Sequence, residues 1–252
     1  KQSAFVKMVN NMPASAVSPV WINYNKDLQK SAIGPARVLY VQNKDNSIFR
    51  LRYRFEMGTW NDKKLGIAAQ YLSFLGTANK TAEDITKEFY KIACSFNVNA
   101  GAEYTTVTIE GLQENFTQAV VLFEDLLENC QVNEEALKSL KARLTKARTD
   151  AKSNKGAILN GLTAYARFGS NNPFNDVLKD EEIKNLDAAE LVKTLHNLNQ
   201  YPHDVIYYGP LQLTALTAEL KKFHKIPAAF TAAPPKAKFV PVVQNSKQVL
   251  FA

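Results

Sequence analysis

Three histidines, two cysteines and several paired acids are the side chains in this sequence with chemistry to offer. A metallopeptidase helix needs two histidines one turn apart, so that both imidazoles share a face, and a carboxylate to activate water. His196, His203 and His224 are separated by 7 and 21 residues, and none has a histidine companion within one helical turn. His203, just ahead of Asp204 and the apolar run Val205–Tyr208, therefore reads as a structural or surface residue. Cys94 and Cys130 lie 36 residues apart with no CxxC spacing, which reads as two buried free thiols. Glu83-Asp84, Glu124-Asp125, Glu134-Glu135 and Asp180-Glu181-Glu182 sit in expected first turns or on polar helix faces, where acids offset the helix dipole.

No Gly-x-Ser-x-Gly elbow, P-loop or Gly-x-Gly-x-x-Gly turn occurs, so the usual hydrolase, kinase and dinucleotide signatures are missing. A formal charge of +7 permits an acidic partner, and Lys138, Lys141, Arg148, Lys152 and Lys155 form a basic stripe. Aromatic side chains are not interleaved with it, so a nucleic-acid partner is not expected. The sequons at Asn79 and Asn115 carry little weight, being common by chance.

The elements that position these groups follow from hydrophobic period. Arg37–Gln42 and Ile48–Glu56 read as strands around the turn-forming Asn43–Ser47, and together as an antiparallel hairpin. In the second, Phe49, Leu51, Tyr53 and Phe55 alternate with Arg50, Arg52, Arg54 and Glu56, giving one buried and one solvated face. Asp62 is expected to cap a helix running to about Leu75, closed by Gly76-Thr77. Thr81-Ala82-Glu83-Asp84 has the capping-box pattern, opening a helix to about Cys94. Strands follow near Phe96–Glu103 and Tyr104–Gly111. From Gln113 the period becomes helical, with Phe116, Val120, Phe123, Leu126 and Leu127 on one stripe.

A long helix begins near Asn133 with an apolar face of Leu137, Leu140, Leu144, Ala147 and Ala151. Asp187 opens a helix to about Leu198, His203–Gly209 reads as a last strand, and 212–224 as helix. The order predicts an α+β fold, a mostly antiparallel sheet with helices packed on one face. Residues 1–35 read as a connector around Pro19–Tyr24, and 36–210 as the domain proper. Residues 211–252 read as a terminal helix, a Pro/Ala-rich linker and, at Gln248–Phe251, the start of a following strand. A start at Lys1 suggests an excised piece, so no compartment is read. No run of roughly 18 apolar residues occurs, and no membrane span is expected.

Several strings in this order resemble the repeated domain of the pitrilysin/insulinase family, whose active copy carries the inverted zinc motif H-x-x-E-H. The stretch Gly66-Ile67-Ala68-Ala69-Gln70-Tyr71-Leu72-Ser73-Phe74-Leu75-Gly76-Thr77 is similar to that family's Gly-Leu-Ala-His-Phe-Leu-Glu-His helix with its closing Gly-Thr. The flanks match, while Ala69, Gln70, Tyr71, Leu72 and Ser73 occupy the motif itself. The family's third ligand, a glutamate on a later helix, falls near Arg143–Lys152, where only Asp150 is acidic. Gly58, Ile109–Phe116, Arg167–Pro173 and Tyr207–Pro210 extend the likeness over about 37–210.

The resemblance implies the sheet-and-helix fold of pitrilysin, insulinase and mitochondrial processing peptidase, and a domain from the inactive second half of such an enzyme. No catalytic residue, metal ligand or cofactor is expected in this chain, with zinc held instead by the catalytic half of the full-length protein. Expected partners are other domains of the same polypeptide, or a homologous active subunit, and a peptide substrate, with Lys141, Arg148 and Lys152 contributing to chamber electrostatics. The alternative is a structural or interaction subunit paired with a separate active peptidase chain.

Overall fold

A computed structural model describes residues 2–13, 18, 19, 21, 23–243, 246, 247, 249 and 250. Val20 and Ile22 of the apolar stretch in the connector, and Gln248 and Phe251 of the expected following strand, lie outside the described residues.

The chain runs α1 (Ala4–Asn10), β1 (Gln29–Ile33), β2 (Ala36–Gln42), β3 (Ile48–Phe55), α2 (Leu65–Leu72), α3 (Ala82–Lys91), β4 (Cys94–Ala100) and β5 (Thr105–Leu112). It continues with α4 (Phe116–Asn129), α5 (Glu134–Ala151), α6 (Lys155–Phe168), α7 (Asp180–Lys184), α8 (Ala188–His196), β6 (His203–Gly209) and α9 (Leu213–Phe223). The strands form one six-stranded sheet in the order β1-β2-β6-β3-β5-β4. All neighbours are antiparallel except β2 and β6. Helices cover one face, as the α+β reading expects. Among the described residues no helix is long and apolar enough to cross a membrane.

The expected hairpin between β2 and β3 does not exist, because β6 enters between them, parallel to β2 and antiparallel to β3. Its residues His203, Asp204, Val205, Tyr207 and Gly209 are buried, as suits a central strand. The loop from β2 to β3 must then step across two strand spacings, roughly 10 Å, rather than fold back tightly. Buried Asn43 organises that step: its amide donates to Asn46 Oδ1 and to the Ile48 carbonyl, and its Oδ1 accepts from the Asp45 amide.

Other elements fall close to their expected places. On β3, Phe49, Leu51, Tyr53 and Phe55 are fully buried while Arg50 and Arg52 stand in solvent. The capping box at Thr81 and Asp84 forms with both reciprocal bonds. The stripe Phe116, Val120, Phe123, Leu126 and Leu127 lies wholly in the core. Asn133 and Asp187 cap α5 and α8 through their side-chain oxygens.

Several boundaries and one buried face differ from expectation. Asp62 does not cap α2; its Oδ1 accepts from the Lys64 amide in a local turn, and the helix starts at Leu65 and ends at Leu72. Cys94 belongs to β4 rather than to the end of α3, since Ala93 at φ +49° breaks the helix. Gln29–Ile33, read as connector, is the edge strand β1 paired with β2. Finally, Ala147 and Ala151 are exposed, so the C-terminal half of α5 leaves the core. The following helix, α6, has no buried residue. Lys155 opens α6 rather than extending the basic stripe along α5.

Beyond α9, which packs Leu216 and Leu220 into the core, and the buried His224, residues 225–243 pass over the surface without helix or strand. The Ala237 amide donates to the Trp60 carbonyl and the Val242 amide to the Arg167 carbonyl, while Phe239 packs edge-on against Trp60 and Phe168.

Candidate functional site

Helix α2 is held by an apolar inner face and one polar anchor. Leu65, Ile67, Ala68, Tyr71 and Leu72 point into the core. The Tyr71 hydroxyl donates to the Asn133 carbonyl and accepts from the Asn133 amide, both at 2.8 Å, pinning the helix to the start of α5. Of the five motif positions, Tyr71 and Leu72 are therefore packing residues, whereas Ala69, Gln70 and Ser73 line a cleft of about 530 Å³. Its opposite wall is β4, with Phe96 and Val98, and its floor includes Phe89 from α3. Among the described residues β4 ends the sheet, so its outer backbone groups have no neighbouring strand there.

The side chains at the cleft do not fit a metal. Ala69 and Leu72 have no donor atom, and Ser73 Oγ donates back to the Gln70 carbonyl. Among the described residues no histidine or carboxylate lines the cleft, and no group of three His, Cys, Asp or Glu side chains could hold a metal ion. Arg143 of α5 enters the cleft instead: Nη2 donates to Gln70 Oε1 at 3.4 Å and the guanidinium lies over the Phe74 ring at 5.5 Å.

The three basic residues expected to contribute to chamber electrostatics, Lys141, Arg148 and Lys152, do not line this cleft. Lys141 Nζ donates to the carbonyls of Lys184 and Leu186, and Arg148 pairs with Asp180 at 2.7 Å and donates to the Leu178 carbonyl. Both fasten α5 to the segment around α7. Lys152 is exposed and borders a separate groove of about 920 Å³, beside Ile158, Leu162 and Phe174.

The histidines, distant in sequence, converge in space. His203 Nε2 lies 3.0 Å from His224 Nε2, and His224 Nδ1 lies 2.7 Å from Glu124 Oε1. His203 Nδ1 faces the Tyr201 carbonyl at 2.8 Å, which can only accept, so His203 Nδ1 carries the proton and Nε2 accepts from His224. One proton then bridges His224 Nδ1 and Glu124, whose other oxygen accepts from Asn199. The donors run in a chain and do not converge on one point, so the cluster is a buried hydrogen-bond network rather than a ligand set. Tyr53 stacks on His224 with centroids 4.0 Å apart, and burial, with the Glu124 carboxylate, holds its phenol well above the usual range. Burial first, and the neighbouring His224 second, push His203 down to about 4, leaving it neutral.

His196 Nε2 lies 3.4 Å from Cys130 Sγ, the spacing of a nucleophile and its base. Burial, however, pushes the Cys130 thiol up to about 12, so no thiolate forms near neutrality. Both cysteines are free and buried, as their spacing suggested.

Sequence reasoning missed Arg143 and the histidine network. Arg143 follows buried Leu140 by three positions, so it borders the packed face of α5. The network had no local signal, since Glu124 and His224 are 100 residues apart.

Fold and cleft together define an α+β domain in which α2, at Ala69, Gln70 and Ser73, brings no histidine or carboxylate to the cleft beside β4. The chain belongs to the insulinase family (Peptidase family M16), whose sequence model matches residues 37–181, more than half of its length. It is 25% identical over 156 residues to the mitochondrial cytochrome b-c1 complex subunit 1 of Homo sapiens, covering 61% of this chain and 32% of that one. An uncharacterized zinc protease of Rickettsia bellii is 27% identical over 140 residues, covering 55% and 31% respectively. The crystal structure of a peptidase M16 inactive domain from Pseudomonas fluorescens superposes with a TM-score of 0.69 at 20% identity, over 85% of this chain and 54% of that one. The chain thus spans about a third of the length of these curated relatives.

Proposed function

We propose that this chain is a non-catalytic domain of an insulinase-type zinc endopeptidase, forming part of the wall of a peptide-enclosing chamber. One observation carries the reading. Helix α2 keeps its station beside the open strand β4, while Ala69, Leu72 and Ser73 supply nothing to grip a cation. A wall of this kind contributes by orienting an extended peptide and excluding water, not by chemistry. The zinc that cuts belongs, on this reading, to a catalytic half elsewhere in the full-length protein.

The kinship with a cytochrome b-c1 complex subunit favours a second reading, a structural or interaction subunit that pairs with a separate active peptidase chain. The 252-residue chain would be purified and assayed for metal, peptide cleavage and binding of labelled unstructured peptides. Peptide binding without zinc or cleavage is expected. Stoichiometric zinc or cleavage would overturn the non-catalytic assignment; peptides left unbound, with stable pairing to an H-x-x-E-H chain, would favour the second reading.

A further inference from the structure

We infer that the cleft between α2 and β4 is a docking site for an extended peptide bearing an acidic side chain, which Arg143 receives. The inference rests on the peptide-wall reading above and adds the class of peptide. Its backbone part comes from β4, whose outward amides and carbonyls can take one more strand. Alternate side chains of such a strand lie on one side, roughly 7 Å apart, and would settle on Phe89, Phe96 and Val98.

The charge preference comes from Arg143. Among the described residues it is the one charged side chain lining the cleft, and no carboxylate lies within ion-pair distance of it. Its single polar contact, to Gln70 Oε1, is long at 3.4 Å, and Phe74 supports the guanidinium plane. A planar cation held this way leaves N–H groups for a carboxylate, which it can engage in parallel bonds. Three other cations of α5 differ, because Lys146 pairs with Asp150, Arg148 with Asp180, and Lys141 caps carbonyls, whereas Lys138 is exposed and does not line the cleft. Arg143 also touches the segment Ala69–Ser73, so a fixed positive charge stands beside the motif positions. A guanidinium there can hold a carboxylate, but it has no open coordination position with which to activate water.

Three fluorescein-labelled, unstructured peptides of identical apolar pattern, differing at one position as Glu, Gln or Lys, would be titrated against the 252-residue chain by anisotropy. The Glu peptide should bind roughly fivefold tighter than Gln, the Lys peptide weakest, with the difference shrinking as salt rises. Arg143→Gln should erase the order and Arg143→Glu invert it, with circular dichroism confirming that both variants fold. If all three peptides bind equally, or the order survives Arg143→Glu, the acidic docking site is wrong while the peptide-wall reading stands. If none binds, both fall.

Discussion

Lowering the pH should destabilise this protein through one residue, His203. Its side chain is buried between Phe55, Phe230 and His224, and it is neutral because burial first, and the neighbouring His224 second, push it down to about 4. In the unfolded chain the same imidazole titrates near 6.5, as an ordinary histidine. The sign follows from linkage: below pH 6.5 the unfolded state takes up a proton that the folded state refuses until about pH 4. Stability conferred by the neutral imidazole is therefore complete above 6.5 and is lost as pH falls towards 4. The full difference is about 3 kcal/mol, and about 2 kcal/mol is lost between pH 8 and pH 5. Urea denaturation across that range should show this loss in the wild type. His203→Gln, which keeps hydrogen-bonding capacity but cannot be protonated, should flatten the profile by about the same amount. If the profiles of variant and wild type run parallel from pH 8 to pH 5, the buried neutral imidazole is not the cause and the reasoning fails.

Further outcomes are expected from packing and thiol chemistry. A Cβ at Gly76 would lie 2.2 Å from the Lys80 carbonyl oxygen, a backbone atom, so Gly76→Ala should lower stability by roughly 2 kcal/mol in urea titrations. Phe123, fully buried against Phe96, should cost about 3–5 kcal/mol when cut to Ala, and an unchanged midpoint would contradict the core assignment. Both thiols should resist a disulfide reagent at pH 8 in the folded protein and react at once in denaturant, because burial raises Cys94 and holds Cys130 at about 12. Replacing Leu72, which is 1% exposed, by Glu to rebuild part of the motif should destabilise the chain by about 3 kcal/mol or more without conferring zinc binding, read by calorimetry and metal analysis.

What the sequence revealed and what it withheld divide along the range of the interactions. Alternation on β3, the Thr81–Asp84 box and the stripe on α4 depend on neighbours within a turn or a strand, so period and cap chemistry located them. The position of β6 depends on pairing with β2 and β3, more than a hundred residues earlier, and the turn-like Asn43–Ser47 invited the simpler hairpin. α6 lay hidden for a different reason: with no buried residue, it has no inward stripe to set the period. At the cleft, the string from Gly66 to Thr77 singled out five positions, of which Ala69, Gln70 and Ser73 line it. That Arg143 reaches Gln70 across 73 residues was a matter of tertiary structure alone.

The insertion of β6 between β2 and β3 bears on how the chain is made. During synthesis, the ribbon of β1 and β2 and the three-stranded leaf of β3, β5 and β4 emerge long before His203, and neither bonds directly to the other. Until β6 arrives as the keystone, the inner margins of both pieces stay unpaired and available to wrong partners, a delay typical of high-contact-order sheets. A ribosome stalled before residue 203 would hold two sheet fragments instead of a domain, the kind of nascent chain that chaperones attend.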